Sequence, residues 1–98
     1  MAPADEAVET ALNAQVGKSG PPSDGRDLHA AMPERGVVMV AAPLAIATCT
    51  LTGMALGFQQ RREPRVAFSF IGEGGTSLGE WHEAVNFAAA QRLNMIFF

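Results

Sequence analysis

Cysteine is almost absent from this chain of 98 residues: Cys49 is the single one, so no internal disulfide can brace the fold, and a reducing compartment suits it. Histidine is nearly as scarce, with only His29 and His82, which excludes a zinc finger built from Cys and His ligands. Charged residues make up only 17%, but 48% hydrophobic content argues against a chain disordered throughout. Seven basic residues face ten acidic ones, and a net charge of −3 with a pI near 5.2 argues against nucleic acid as a partner. The first sixteen residues lack the basic start and apolar core of a secretory signal, and Asp5, Glu6 and Glu9 argue against a mitochondrial transit peptide. The expected address is the cytoplasm. A chain of this length buries only about 60–65% of its unfolded surface, so as a lone domain its stability would be marginal.

What is present changes character along the chain. Residues 4–16 carry Ala7, Val8, Ala11, Leu12 and Val16 at a weak helical period, with acids at the start. Gly17 to Gly25 holds Gly and Pro at a density that prevents regular structure, and Pro33 breaks the chain again, so residues 1–35 are expected to be poorly structured. From Val37 to Phe58 there is no charge at all, and Arg61-Arg62 follows. Such a run admits a single membrane span over residues 37–58. Pro43, Gly53, Gly57 and the threonines at 48, 50 and 52 favour instead a buried loop and a core helix from about Ala45 to Arg61, so a membrane is not the expected partner.

After Glu63-Pro64, the run Val66 to Ile71 is short, apolar and rich in β-branched and aromatic residues, as a strand covered on both faces of a parallel sheet would be. Gly72-Glu73-Gly74-Gly75-Thr76-Ser77 makes a glycine turn, and Ser77-Leu78-Gly79-Glu80 has the form of a capping box opening a helix. Along that helix Trp81, Val85, Ala88 and Leu93 form the apolar stripe. Met95 to Phe98 then starts a second buried strand. Strand, glycine turn, helix and strand make a βαβ unit. Ending inside such a unit, the chain reads as the front part of a larger α/β protein.

Backbone N–H groups in a glycine turn and at a helix N-terminus favour phosphates. A carboxylate among them, Glu73, repels a phosphate unless a divalent cation lies between, as magnesium does when held by carboxylate and phosphate oxygens. The segment therefore suggests a metal–diphosphate site, with a plain strand-to-helix turn as the competing reading. A Walker loop is excluded because the turn has no lysine, and a dinucleotide fingerprint because Ser77 stands where its third glycine belongs.

Residues Ile71 to Leu93 resemble the thiamine diphosphate motif of the alpha subunits of 2-oxo acid dehydrogenase decarboxylase components, of the pyruvate, branched-chain and acetoin types. Gly72, Gly74, Gly79, Glu83, Asn86, Ala88 and Leu93 fall at the family's positions. The resemblance implies an α/β thiamine diphosphate-binding fold, a parallel sheet with helices on both faces, incomplete at the C-terminus and occupying residues 36–98. It implies thiamine diphosphate and Mg2+ as cofactors, Glu73 as metal ligand, and Gly72, Gly74 and Gly75 lying with their backbone against the diphosphate. Glu83 and Asn86 match structural or subunit-facing positions, and no catalytic residue is assigned. The implied activity is oxidative decarboxylation with acyl transfer to lipoyl. The implied partners are a beta subunit or fused second half and a lipoyl-bearing acyltransferase, and the fragment alone is expected to be inactive.

Three positions depart from the family pattern. Glu73 replaces an aspartate, Asn94 replaces a proline, and Cys49-Thr50-Leu51-Thr52-Gly53 keeps only the last glycine of a Pro-x-Gly-x-Gly turn beside the pyrimidine ring. The asparagine pair that the family uses as a further metal ligand would follow Phe98. A non-catalytic interaction domain using the helix Glu80 to Leu93 is the remaining alternative. His82 is a secondary candidate for a general acid or base, with a surface or subunit-contacting histidine as the expected reading, and the resemblance sets His29, after Gly25-Arg26-Asp27, where the family often has a histidine near the active-site entrance.

Overall fold

The computed structural model describes residues 4–21, 23–29, 31–38 and 42–98. The chain divides into two compact units, Met1–Ala42 and Pro43–Phe98. The expected boundary lay at Arg35/Gly36.

In the first unit the stretch expected to be poorly structured carries a three-turn helix, α1 (Ala4–Gln15). Asp5 and Glu6 complement the positive end of its dipole, and the Thr10 hydroxyl donates to the Glu6 carbonyl one turn back. The helix closes on Gly17, left-handed at φ 68°, with Lys18 N–H donating to Asn13 O and Gly17 N–H to Ala14 O, a Schellman ending. The periodicity of residues 4–16 thus outweighs the breakers behind it. Val8, Leu12 and Val16 of its apolar stripe are nonetheless exposed, and Ala14 is its buried residue. Further on, Pro33–Arg35 forms a 3-10 turn, Met32 bridges Val37, and the Arg35 guanidinium meets Glu6 Oε1 at 2.8 Å.

The second unit holds α2 (Ile46–Gln60), β1 (Ala67–Ser69), a 3-10 turn (Glu73–Ser77), α3 (Gly79–Gln91) and β2 (Met95–Phe97). β1 and β2 pair in parallel, with Ala67, Phe68 and Ser69 opposite Met95, Ile96 and Phe97. Backbone bonds from Ala67 N–H to Asn94 O and from Ile71 N–H to Phe98 O continue the pairing on either side. The parallel βαβ arrangement expected from the sequence is therefore present.

Small residues fix the packing. Ala55 is buried on the α2 stripe that carries Thr48 and Thr52, Ala84 and Ala88 are buried on α3, and side chains this small let neighbouring elements pack closely on the two helices. They run side by side in the same direction: Cys49 Sγ reaches Glu80 O at 3.4 Å near their N-termini, and Gln59 Nε2 reaches Gln91 O at 3.1 Å near their C-termini. Thr48 and Ser69, each only 1% exposed, share a hydrogen bond of 2.9 Å that seats α2 on β1. The Thr52 hydroxyl donates to Thr48 O and lies 3.2 Å from Met95 Sδ, which ties α2 to β2 as well. Trp81 packs edge-on against Phe97 at 5.3 Å.

Both helices contact the sheet face that carries Ser69, Met95 and Phe97. The opposite face shows Phe68, Phe70 and Phe98 clustered at 4.7–6.1 Å and exposed, together with Ile96. Helices on both faces are thus not found among the described residues; the run from Val66 to Ile71 is covered on one side. Among its described residues the uncharged stretch does not make a span either. The helix it enters, α2, has 15 residues and is about 22 Å long against about 30 Å for a bilayer core, and no helix among the described residues is long and apolar enough to cross a membrane.

The buried hydroxyl pair generates a test. Thr48→Val or Ser69→Ala leaves one hydroxyl in a dry site without its partner and is expected to cost about 1–3 kcal/mol. The double variant should lose less than the two single losses together, as read by urea unfolding of all four proteins.

Candidate functional site

The C-terminal end of β1 delivers the chain into the glycine turn. Gly72 is extended (φ −80°, ψ 159°), Glu73–Ser77 winds as a 3-10 turn, and Leu78 is again extended before α3 starts. This corrects the capping-box expectation. Ser77 is consumed by the 3-10 turn, Leu78 is the N-cap, Glu80 stands second in the helix, and no side chain caps α3. The first N–H groups of α3 therefore have no side-chain acceptor, and they lie directly beyond the glycine turn.

A second helix start lies beside the first. Ala45, buried and left-handed at φ 65°, turns the chain into α2. The adjoining Leu44 Cβ sits 3.6 Å from where a Cβ on Gly75 would be. The Cys49–Glu80 contact brings the first turn of α2 against that of α3. Two parallel helices thus present their N-termini on either side of Gly72–Ser77, at the C-terminal end of a parallel strand. Partial positive charge from both dipoles accumulates there, a setting that stabilises anions.

The glycines of the turn differ in what they do. Gly75 is buried, and a Cβ on it would fall 2.7 Å from Ile71 Cγ1 and 2.9 Å from Cδ1, so internal packing accounts for it. Gly72 and Gly74 are exposed, and a Cβ on either would meet nothing within 4 Å. Their bare backbone faces open space and can be approached closely from outside. Glu73 between them is exposed, and its carboxylate has no hydrogen-bond or ion-pair partner among the described residues. No cluster of three or more His, Cys, Asp or Glu is found among the described residues, so a metal here would rest on Glu73 and on oxygens from its ligand and water. One free carboxylate beside outward-facing main chain is a donor set that a magnesium–diphosphate pair fits.

The remaining candidates are dispersed. His82 is exposed in the first turn of α3. Cys49 is half-buried with its thiol on the Glu80 carbonyl, a tether that sequence reasoning missed; it lines an apolar cleft of about 360 Å³ with Thr52, Gly53, Leu56, Glu83, Ala84 and Phe87. His29, in the first unit, has its Nδ1 2.8 Å from Asp27 Oδ1, which also accepts the His29 backbone N–H at 2.9 Å. That N–H first, and the imidazole second, hold the Asp27 carboxyl below its ordinary value.

The model for the family described as "Dehydrogenase E1 component" matches residues 1–98. The chain belongs to that family. It is 32% identical over 94 residues to the mitochondrial 2-oxoisovalerate dehydrogenase subunit alpha of Caenorhabditis elegans, covering 93% of this chain and 22% of that protein. The mouse protein of the same name is 30% identical over 96 residues, 96% of this chain and again 22% of the relative. The pyruvate dehydrogenase E1 component subunit alpha of Bacillus subtilis is 42% identical over 45 residues, 46% of this chain and 12% of that protein. The chain thus spans about a fifth of the length of the two 2-oxoisovalerate dehydrogenase subunits, and all three relatives are alpha subunits.

Two outcomes check the geometry. Gly75→Ala must displace Ile71 and is expected to cost about 1–3 kcal/mol, whereas Gly74→Ala should leave thermal unfolding nearly unchanged. In an NMR titration the Asp27 carboxyl should show its midpoint below that of a free aspartate; His29→Ala should raise it only part of the way, since the main-chain N–H remains. Because the folded value is lowered, this contact stabilises above the unfolded pKa and is lost as pH falls through the folded one.

Proposed function

We propose that this chain supplies the magnesium–diphosphate half of a thiamine diphosphate site in the decarboxylase component of a 2-oxo acid dehydrogenase. The observation that carries the reading is the convergence of two helix N-termini on a glycine turn whose single carboxylate, Glu73, is free. Glu73 would hold Mg2+, and the exposed backbone at Gly72 and Gly74 would lie along the diphosphate, with Gly75, expected there as well, buried behind them with its N–H on Gly72 O. The helix N-termini offset the phosphate charge that the cation leaves over. Glutamate in place of aspartate reaches further from the main chain, and the exposed, unpaired side chain leaves it room to adjust.

Thiamine diphosphate supplies, when bound, the nucleophile and electron sink that allow a 2-oxo acid to lose carbon dioxide. The protein's share here is to anchor and orient, and no residue of this chain is assigned to a proton transfer. A beta subunit or fused second half would provide the pyrimidine side, and a lipoyl-bearing acyltransferase would accept the acyl group. The sheet of this chain belongs in this reading to a larger α/β thiamine diphosphate-binding fold, and the chain by itself turns over no 2-oxo acid.

Titration of the 98-residue chain with thiamine diphosphate, followed by the fluorescence of Trp81 in the first turn of α3, tests the proposal. Weak but saturable quenching that requires magnesium is expected. Glu73→Ala should abolish it and Glu73→Asp should preserve it. A signal indifferent to magnesium and to Glu73→Ala, or no signal at millimolar coenzyme, would sink it.

A further inference from the structure

The end of the second unit opposite the glycine turn is strongly basic. Four of the seven basic residues of the chain, Arg61, Arg62, Arg65 and Arg92, are all that this unit possesses, and all four follow the C-termini of α2 and α3. The Gln59 amide reaches Gln91 O at 3.1 Å and Arg92 O at 3.5 Å, so the two helix ends form one surface. Its acids lie mostly at the other end: Glu73 in the turn, Glu80 and Glu83 in the first turns of α3.

The backbone at two of these arginines is unusual. α2 ends in a Schellman motif, with Glu63 N–H on Phe58 O and Arg62 N–H on Gln59 O, and Arg62 occupies its left-handed position at φ 57°. α3 ends the same way, with Leu93 N–H on Ala88 O, Arg92 N–H on Ala89 O, and Arg92 left-handed at φ 52°. Glycine is the residue that fits this position without strain, and α1 uses it, at Gly17. Local geometry therefore favours glycine at 62 and 92; arginine there sets a cation against the negative end of each helix and leaves its guanidinium available to an outside anion.

The four guanidiniums are not equally engaged. Glu63 lies between Arg61 and Arg65, at 3.5 and 3.3 Å, and Arg65 also stacks over Phe58 at 5.4 Å. Arg62 and Arg92 are exposed, and their guanidiniums have no hydrogen-bond or ion-pair partner among the described residues. Glu63 shows the chemistry the surface accepts, a carboxylate held between two planar forks.

We infer that the arginine surface at the C-terminal ends of α2 and α3 is a docking site for a short acidic peptide segment of a partner protein, gripped by Arg62 and Arg92. A short segment fits better than a long polyanion or an anionic bilayer, because the patch is confined and the chain as a whole carries −3. The inference does not depend on the coenzyme reading, which concerns the opposite end of the unit.

Fluorescence anisotropy with a labelled oligoglutamate peptide and the 98-residue chain tests it. Saturable binding that weakens as salt rises is expected, with none to oligoglutamine. The double variant Arg62→Gly/Arg92→Gly should bind about tenfold more weakly or worse, yet melt at the same or a higher temperature, since glycine relieves the left-handed backbone. Arg26→Gly, in the first unit, should change nothing. No binding, equal loss in the Arg26 variant, or binding untouched by the double variant would overturn the inference. So would association with phosphatidylserine vesicles or single-stranded DNA in preference to the peptide.

Discussion

The hydroxyls of Thr48 and Ser69, closed off from water and 2.9 Å apart, govern where α2 can sit on β1. A slide of α2 along the strand would leave both hydroxyls dry and unpaired, a cost that apolar packing alone does not impose. With α2 held, Thr52 meets Met95, Ala55 is buried on the same stripe, and the Cys49 and Gln59 contacts fall at opposite ends of the helix pair. The arrangement that matters for function, two helix starts at one end and two helix ends at the other, follows from that seating.

Parallel helices concentrate charge in a way that antiparallel ones cancel. Here both dipoles put their positive ends beside Gly72–Ser77 and their negative ends beside Arg61, Arg62, Arg65 and Arg92. The arginines offset the negative end. At the positive end the side chains are acidic, and Glu73, Glu80 and Glu83 neutralise it only while no anion is near. Glu73 is the group whose sign conflicts with a phosphate, and a divalent cation between the two removes the conflict. The acidic residue and a phosphate on the anion-favouring backbone are compatible only with that third charge present.

The order of elements in the second unit was legible in the sequence because each has a local cause: an uncharged run, an apolar β-branched run, a cluster of glycines, a helical period. The α2 bounds differ from those expected by one residue at each end. The capping box was legible and absent, because Gly72–Ser77 winds as a 3-10 turn and uses up the serine before the helix begins. Nor could the sequence foretell that Ala45 turns left-handed beside Gly75, or that Arg92 joins a cluster 27 residues away, since both depend on how α2 and α3 lie together. The first unit's helix was weakly legible. Its stripe of Val8, Leu12 and Val16 is present but exposed, so periodicity there specified the helix without specifying what covers it.

A site made of main chain tolerates sequence change better than one made of side chains, and this bears on a relative only 32% identical. Any residue supplies an N–H, and a helix dipole does not depend on composition; what constrains sequence is close approach. Gly75 is constrained from within by Ile71. Gly72 and Gly74 are not: a Cβ on either would meet no atom of the described residues within 4 Å apart from its chain neighbours, and their φ values do not require glycine. Nothing inside the unit therefore accounts for two exposed glycines flanking a free carboxylate. The proposed ligand accounts for all three, since a diphosphate lying along bare backbone needs the glycines and its cation needs Glu73.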